Sequence, residues 1–236
     1  MCKSDIVVSI ICITYNHEKY IAKALDGFLM QETDFKYEIL LHDDASTDKT
    51  AQIIKEYCER YPGRIDAICQ TENQHRKGVS PTMLLIEKAK GKYVAICKGD
   101  DYWTDKHKLQ MQVECLEKYK DCAACVHNVL VVQEDGTPWP AGYQQSYREK
   151  EDRKKGAESL RDQCKFSHTA SLLMYRSLFS DMDENCKKEF KQVKANGDMK
   201  WAALIAAHGG VYHIAKDMAC YRYVTSGNDS WTARNQ

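Results

Sequence analysis

The chain has 236 residues, which is enough for one large α/β domain or two small ones with a substantial core. Its 34 basic and 34 acidic residues cancel, so no overall positive charge attracts nucleic acid or an anionic membrane. Hydrophobic residues make up 43% of the chain and charged residues 29%, the composition of an ordinary globular protein. The 11 cysteines are odd in number and mostly occur singly, so we expect free thiols in a reducing, cytoplasmic compartment.

Strand and helix patterns alternate through the first 132 residues. Most predicted strands are apolar runs rich in β-branched residues, which is typical of strands covered on both faces. The segments between them have apolar positions three and four residues apart, the spacing of an amphipathic helix, and Thr104 is expected to cap the last of these helices. The predicted strands are residues 6–13, 38–43, 64–71, 93–97 and 122–132, and the predicted helices are residues 20–29, 51–61, 81–90 and 105–116. This alternation with short connections predicts βαβ units and a mostly parallel sheet.

The second half of the chain is less regular. Residues 133–163 are polar and include an unbroken charge run at 148–155 (REKEDRKK). We interpret this segment as a solvated insertion, and the alternative is a flap over a site or a docking surface. Beyond it we predict strands at residues 166–175, 211–214 and 218–224, helices at 176–193 and 199–208, and a tail from residue 225 without a core pattern.

Polar loops follow three of the predicted strands. They read TYNH at residues 14–17, DDASTD at 43–48 and KGDDYW at 98–103. Because the carboxyl ends of parallel strands meet at one edge of a sheet, we expect these loops to converge on a ligand site. The paired carboxylates Asp100 and Asp101 offer the oxygen ligands that Mg²⁺ or Mn²⁺ prefers, and through the metal they can bind a diphosphate. A solvated turn is the alternative for a single acidic pair, and the presence of two such pairs favours a site.

Together these segments resemble the family 2 glycosyltransferases, which use nucleotide sugars on a GT-A fold. The resemblance is carried by VSIICITYNHEKYIAKALDGFLMQ, by EILLHDDASTDKT, by NQHRKGVSPTMLLIEKAKGKYVAICKGDDYWTDKHKLQMQVECLE, and by NGDMKWAALIAAHGGVYHI followed by MACYRY. It is close over residues 6–132, thinner over 166–224, and strongest to a bacterial branch of the family. It implies one α/β domain over residues 1–236, with a mostly parallel central sheet flanked by helices. A Rossmann-like nucleotide-binding half (about 1–101) would precede an acceptor-side half (about 102–236) that carries the insertion.

The resemblance also implies roles for individual residues. The residues implied to bind the nucleotide sugar are Thr14, Tyr15, Asn16, Asp44, Lys77 and Asp100. Within this set Asp44 would bind the edge of the base, and Asp100 the ribose. Asp101 and Asp100 would hold a divalent metal, Mn²⁺ or Mg²⁺, on the diphosphate. Asp198 would be the general base for the acceptor hydroxyl, with Trp103 and His168 on the acceptor side.

Each implied role has a structural alternative that the residues leave open. Asp44 can serve as a turn residue, and Asp198, which opens a predicted helix, as an N-terminal cap. Ordinary packing or solvent exposure is the alternative for Tyr15, Trp103, His168 and Lys77.

The implied reaction moves a sugar from a nucleotide sugar, with a UDP-sugar expected, to a saccharide or lipid-linked saccharide acceptor. One base without a second carboxylate nucleophile indicates a single displacement with inversion. We expect a bacterial surface polysaccharide or glycolipid product, no nucleic-acid partner, and a cytoplasmic protein that contacts the inner face of the membrane through a segment not in this chain. Two departures from the family are Lys98, where an acid is common, and the absence of a histidine after residues 221–223 (YRY). A lysine at position 98 would either repel a divalent cation at short range or itself pair with a phosphate.

Three other functions compete with this interpretation. A nucleotide-sugar-binding module without transferase activity is favoured by Lys98. A phosphoacceptor receiver domain also uses an acidic pair, Mg²⁺ and a lysine, but it is about half this length and leaves residues 196–223 unexplained. A nucleotidyltransferase would carry a glycine-rich basic phosphate loop, which residues 14–19 do not resemble.

Overall fold

The computed structural model describes residues 6–140, 147–163, 166–193, 195 and 197–224, and nine strands within them form one mixed sheet. The strands are β1 Ile6–Thr14, β2 Lys36–Asp43, β3 Ile65–Cys69, β4 Tyr93–Ile96, β5 Tyr102–Trp103, β6 Cys122–Val132, β7 Arg153–Lys155, β8 Leu173–Tyr175 and β9 Gly210–Arg222. The helices are α1 Ile21–Leu29, α2 Thr50–Arg60, α3 Pro81–Lys88, α4 Lys108–Lys118, α5 Ala157–Gln163, α6 Ser177–Ser180, α7 Glu184–Gln192 and α8 Gly197–His208. Two short 3-10 turns lie at His75–Lys77 and Thr169–Ser171. Within the described ranges no helix combines the length and apolarity needed to cross a bilayer.

The sheet has a parallel half and a mixed half. Its strand order is β3-β2-β1-β4-β8-β6-β9-β5, with β7 paired to the first part of β9. All pairings among β1, β2, β3 and β4 are parallel. Beyond β4, the pairings of β8, β5 and β7 are antiparallel, whereas β6 and β9 run parallel. The predicted α/β class with a parallel N-terminal half is confirmed, and the carboxyl ends of β1, β2 and β4 lie at one edge.

Helix α1 shows why the N-terminal half packs as the sequence predicts. Its fully buried residues follow the spacing of three and four residues that places side chains on one helix face; they are Ile21, Ala24, Leu25 and Phe28. The Phe28 ring meets the Trp103 ring edge-on, with 4.8 Å between ring centroids. This apolar face covers β1 and β4, whose residues are buried almost throughout.

The segment after the Asp100–Asp101 pair differs from the prediction of a helix capped by Thr104. Residues 102 and 103 form β5 against β9, and Thr104 N donates a hydrogen bond to Met218 O at 3.0 Å. Helix α4 begins only at Lys108, and the Asp105 carboxylate accepts a hydrogen bond from His107 N at 2.7 Å just before it. The helical prediction was wrong here because a distant strand supplies backbone partners that no local pattern reveals.

Three further predictions differ from the structure in the second half. The strand expected at residues 166–175 is a 3-10 turn followed by the short β8, because the His168 ring accepts a hydrogen bond from Ala170 N and caps the turn. The helix expected at 176–193 is divided into α6 and α7, and the Asp183 side chain caps α7 by accepting from Cys186 N at 2.8 Å. The two strands expected near the end are one continuous strand, β9.

Part of the polar insertion forms secondary structure, and its charge run is mostly exposed, as expected of a solvated segment. Residues 153–155 of the charge run form β7 on β9, and α5 follows directly. Lys155 Nζ lies 2.6 Å from Glu149 Oε1, and Lys154 pairs with Asp121 at 2.8 Å. Residues 141–146 of the insertion and the predicted tail from residue 225 lie outside the described residues.

Helix α4 carries a buried polar pair that ties it to the sheet. Lys108 is fully buried, donates to Gln112 Oε1 at 2.6 Å and places its Nζ 4.0 Å from the centroid of the Trp103 ring. The amide nitrogen of Gln112 donates to the carbonyl oxygens of Cys125 and Ser171, at 2.9 and 2.8 Å. Burial lowers the pKa of Lys108 to about 7.

The depressed pKa of Lys108 predicts a pH-dependent stability. Between about pH 7 and 10 the unfolded chain binds a proton on this side chain that the folded chain does not, so stability rises with pH. Over that interval we expect wild type to gain on the order of 3–5 kcal/mol relative to a Lys108→Met variant. Chemical denaturation at several pH values measures this, with the exposed Lys90→Met as the control. Parallel pH dependences for wild type and Lys108→Met would contradict the buried, neutral lysine.

Candidate active site

The loops that follow β1, β2 and β4 contact one another directly. Asp44 N donates to Thr14 O at 3.0 Å, and Gly99 N donates to Ile13 O at 3.0 Å. Gly99 allows the closest approach, because a Cβ at this position would lie only 2.7 Å from Thr14 Oγ1. The convergence expected from the strand order is therefore present in the structure.

The first two loops are locked together in a strained conformation. Asn16 and Ala45 have positive φ angles of 54° and 65°, a region that costs about 1–3 kcal/mol for a residue other than glycine. The strain is held by cross-loop bonds: Asn16 N donates to Ser46 Oγ at 2.9 Å, and Asn16 Oδ1 accepts from Thr47 N at 2.8 Å. Strain maintained in this way is common at ligand sites.

Asp44 holds a third segment against these loops. Its carboxylate accepts hydrogen bonds from Gln74 N at 2.7 Å and His75 N at 3.1 Å, and His42 Nε2 lies 3.3 Å from its Oδ1. A carboxylate has about four acceptor positions, so three contacts leave room for one more donor. Asp44 thus positions the 3-10 turn at residues 75–77 and keeps limited capacity for a ligand.

Asp100 and Asp101 form the turn after β4, with Arg222 behind it. Asp101 is 2% exposed, and its Oδ1 accepts from Arg222 N at 2.9 Å. Burial and then the neighbouring Asp100 charge raise the pKa of Asp101 well above its usual value. Asp100 Oδ1 is buried and accepts no hydrogen bond from any described residue, while its Oδ2 lies 3.9 Å from His17 Nε2.

Asp198 reaches this site from the second half of the chain. It lies half-buried in the first turn of α8, and the Thr169 hydroxyl donates to its Oδ1. His168, the preceding residue in the turn, places Nδ1 4.0 Å from Asp101 Oδ2 and stacks on the Tyr221 ring at 4.1 Å between centroids. The 168–169 pair therefore connects the Asp101 turn to Asp198.

The charges of these three acids act on the ammonium of Lys98. Burial by itself lowers the pKa of Lys98, but the charges of Asp100, Asp198 and Asp101 more than offset this and raise it above the ordinary value. One half-buried ammonium is thus within electrostatic reach of acids that are 98 residues apart in the chain.

The other residues singled out from the sequence lie in different surroundings. Lys77 is exposed and forms an ion pair with Glu72. Tyr15 is half-buried between Thr14 and Asn16. Trp103 is 2% exposed and donates from Nε1 to Ala170 O at 2.9 Å, so its indole packs in the core.

Several residues that sequence reasoning did not select belong to the site. Arg222 donates through Nε to Asp100 O at 3.1 Å and through a terminal nitrogen to Glu134 O at 2.5 Å. Thr169 binds Asp198, and His17 faces Asp100. An arginine directly after the apolar run at residues 218–221 (MACY) is a signal that could have identified Arg222, whereas Thr169 offers none.

The acidic pair fits a divalent cation bound together with its ligand. The buried, orphaned oxygen of Asp100 and the adjacent Asp101 are hard oxygen donors. Among the described residues, no three Asp, Glu, His or Cys side chains gather in a metal-binding arrangement. A cation here would take its other ligands from phosphate oxygens and water, as Mg²⁺ commonly does.

Comparison with solved structures identifies the fold of the chain. The structure of TarS residues 1–349 from S. aureus in complex with UDP-GlcNAc superposes with a TM-score of 0.72 at 20% identity, covering 98% of this chain and 62% of that one. The mannosyltransferase PcManGT from Pyrobaculum calidifontis, solved with GDP-Man and Mn²⁺, gives a TM-score of 0.59 at 19% identity, covering 89% of this chain and 54% of the other. These likenesses define the GT-A fold of the glycosyltransferases, as the sequence resemblance implied.

The sequence comparison then identifies the family. The model of Glycosyl transferase family 2 matches residues 9–182, more than half of the chain, and the chain belongs to that family. The putative teichuronic acid biosynthesis glycosyltransferase TuaG from Bacillus subtilis is 33% identical over 132 residues, which is 56% of this chain and 50% of TuaG. The chain spans only 37–50% of the length of the curated relatives it matches first.

Proposed function

We propose that this chain transfers a sugar from a UDP-sugar to a hydroxyl of a saccharide or lipid-linked saccharide, with inversion at the anomeric carbon. The observation that carries the proposal is that Asp198, through Thr169 and the adjacent His168, lies next to the Asp100–Asp101 turn, at the edge where the loops after β1, β2 and β4 meet. Open α/β sheets bind ligands at this edge.

In this proposal the donor lies against the first-half loops. Thr14, Tyr15 and Asn16 contact the nucleoside, and Asp44 uses its remaining acceptor capacity at the edge of the base. Asp100 binds the ribose, and Lys77 approaches the diphosphate after leaving Glu72. The UDP-GlcNAc complex of TarS, which shares the fold, supports UDP as the nucleotide.

A divalent cation, Mn²⁺ or Mg²⁺, is held by Asp101 and Asp100 in this proposal. When bound, it neutralises charge on the leaving diphosphate and orients it. The Mn²⁺ in the PcManGT structure and the orphaned oxygen of Asp100 support this assignment.

Asp198 is proposed as the general base that accepts the proton of the attacking hydroxyl. The Thr169 hydroxyl bound to its Oδ1 fixes the orientation of the carboxylate and leaves Oδ2 for the acceptor. A positioned base supplies about 10²–10⁴-fold, and alignment of the acceptor with the donor can supply more. His168 is proposed to contribute to the acceptor side next to Tyr221.

The acceptor class and the location of the reaction are also part of the proposal. The name of TuaG, which refers to teichuronic acid biosynthesis, supports a bacterial surface saccharide as the product. The free thiols of the described cysteines support a cytoplasmic reaction, and the proposal includes contact with the inner membrane face through a segment outside this chain. A nucleotide-sugar-binding module without transfer is the second candidate, favoured by the ammonium of Lys98 within the acidic cluster.

A thermal-shift panel of UDP, GDP, dTDP and CMP, with and without Mn²⁺, tests the donor. Ligand at a hundredfold excess over Kd stabilises the folded chain by about 2.7 kcal/mol, which is readily detected. We expect UDP to give the largest shift. A shift with UDP but no turnover of any UDP-sugar with varied saccharide acceptors would favour the binding module, and no shift with any nucleotide would contradict both candidates.

A further inference from the structure

The charges around the proposed donor site present an electrostatic problem. Asp100 and Asp198 place acidic groups here beside the buried Asp101, and a nucleoside diphosphate brings at least two negative charges. Without a cation among these groups, the diphosphate would be repelled. The cationic side chains beside the turn therefore decide whether the nucleotide can bind.

Arg222 and Lys98 are the permanently charged side chains beside this turn, and they differ in what they contact. The guanidinium of Arg222 is already engaged by the carbonyl oxygens of Asp100, Gln133 and Glu134. The ammonium of Lys98, in contrast, forms no hydrogen bond or ion pair with any residue that the structure describes, although the side chain is half-buried. Its three N–H donors are therefore available to an incoming anion, to which an ammonium donates charge-assisted hydrogen bonds.

The position of Lys98 also suits an interaction with the leaving group of the proposed reaction, the nucleoside diphosphate. It lies within electrostatic reach of Asp100, on the donor side, and of Asp198, the proposed base. The backbone around it is fixed to β1 by Cys97 N donating to Ile11 O and by Gly99 N donating to Ile13 O. The ammonium is therefore carried by a rigid turn at the junction of the donor and acceptor sides.

We propose that Lys98 binds the diphosphate of the donor directly and makes nucleotide binding largely independent of a divalent cation. This inference rests on the proposed function. The ammonium and a divalent cation repel each other at short range and compete for the same carboxylates, so the cation adds little once Lys98 is present. A lysine binds phosphate as a point charge, which tolerates small differences in geometry.

Isothermal titration of UDP in EDTA and in saturating Mn²⁺ tests the proposal. We expect Mn²⁺ to improve the wild-type affinity by less than about threefold, since charge-assisted bonds from Lys98 are already made. Lys98→Met should weaken binding in EDTA by about tenfold or more. Lys98→Arg should retain binding in EDTA, and the exposed Lys90→Met is the matched control that should bind as wild type does.

Lys98→Glu gives the sharpest result, because it replaces the ammonium with a third acid beside Asp100 and Asp101. We expect this variant to bind UDP weakly in EDTA and to recover by at least about tenfold in Mn²⁺. The unfolding midpoint of each variant shows whether its chain remains folded. The comparison of wild-type UDP affinity in EDTA and in Mn²⁺ does not depend on any variant. Wild-type UDP binding that requires Mn²⁺, together with an unchanged affinity of Lys98→Met, would overturn the inference about Lys98 and leave the proposed function standing. The absence of UDP binding in both EDTA and Mn²⁺ would overturn the proposed function as well.

Discussion

Replacing Asp198 with asparagine is expected to lower the rate of sugar transfer by about 10²–10⁴-fold while leaving the UDP affinity unchanged. Asparagine keeps the shape of the side chain and an oxygen that can accept from Thr169, but it cannot take a proton from the acceptor hydroxyl. Initial rates measured by UDP release, together with a UDP titration, separate the loss of chemistry from a loss of binding.

Glu184→Gln is a matched control, because it neutralises an exposed carboxylate of the same half of the chain. It should transfer sugar at the wild-type rate. A near-normal rate for Asp198→Asn would show that Asp198 caps α8 and that the base lies elsewhere.

The second large effect is expected from Arg222→Met. The guanidinium donates to three carbonyl oxygens and lies over the rings of Tyr20 and Tyr102, at 4.7 and 5.3 Å from their centroids. Its removal leaves buried acceptors without donors, which should lower the free energy of unfolding by about 2–5 kcal/mol. The Asp100 turn would also lose its support, so we expect weaker UDP binding.

Arg64→Met provides the comparison for Arg222→Met. Arg64 likewise contacts a tyrosine, donating to Tyr37 Oη at 2.7 Å, but it is exposed and distant in the sheet from the site. Its replacement should change stability by less than about 1 kcal/mol. Chemical denaturation of both variants measures the difference, and equal stabilities would contradict the supporting role of Arg222.

The strands that could be predicted from the sequence are those buried on both faces. The apolar runs of β1, β2, β4 and β6 coincide with the observed strands within two residues, because burial on both faces requires a continuous apolar sequence. The two-residue β5 could not be predicted, because it exists only through its pairing with β9.

The residues of the candidate site that could be predicted are those that directly follow a predicted strand. Asp44, Asp100 and Asp101 follow β2 and β4, and parallel pairing brings these ends together without any further information. Thr169 and Arg222 were missed because their contribution depends on contacts with residues far away in the chain. The surroundings of Lys98 were equally hidden, since its charge neighbour Asp198 enters from α8.

A crystal structure with UDP or an unreactive UDP-sugar analogue tests the central claim most directly. The account predicts the uracil against residues 14–16, the diphosphate beside Asp100 and Lys98, and the anomeric carbon facing Asp198 with room for one acceptor hydroxyl between them. A nucleotide bound elsewhere on the sheet, or an Asp198 carboxylate too far away to reach the acceptor hydroxyl even through one water molecule, would contradict it.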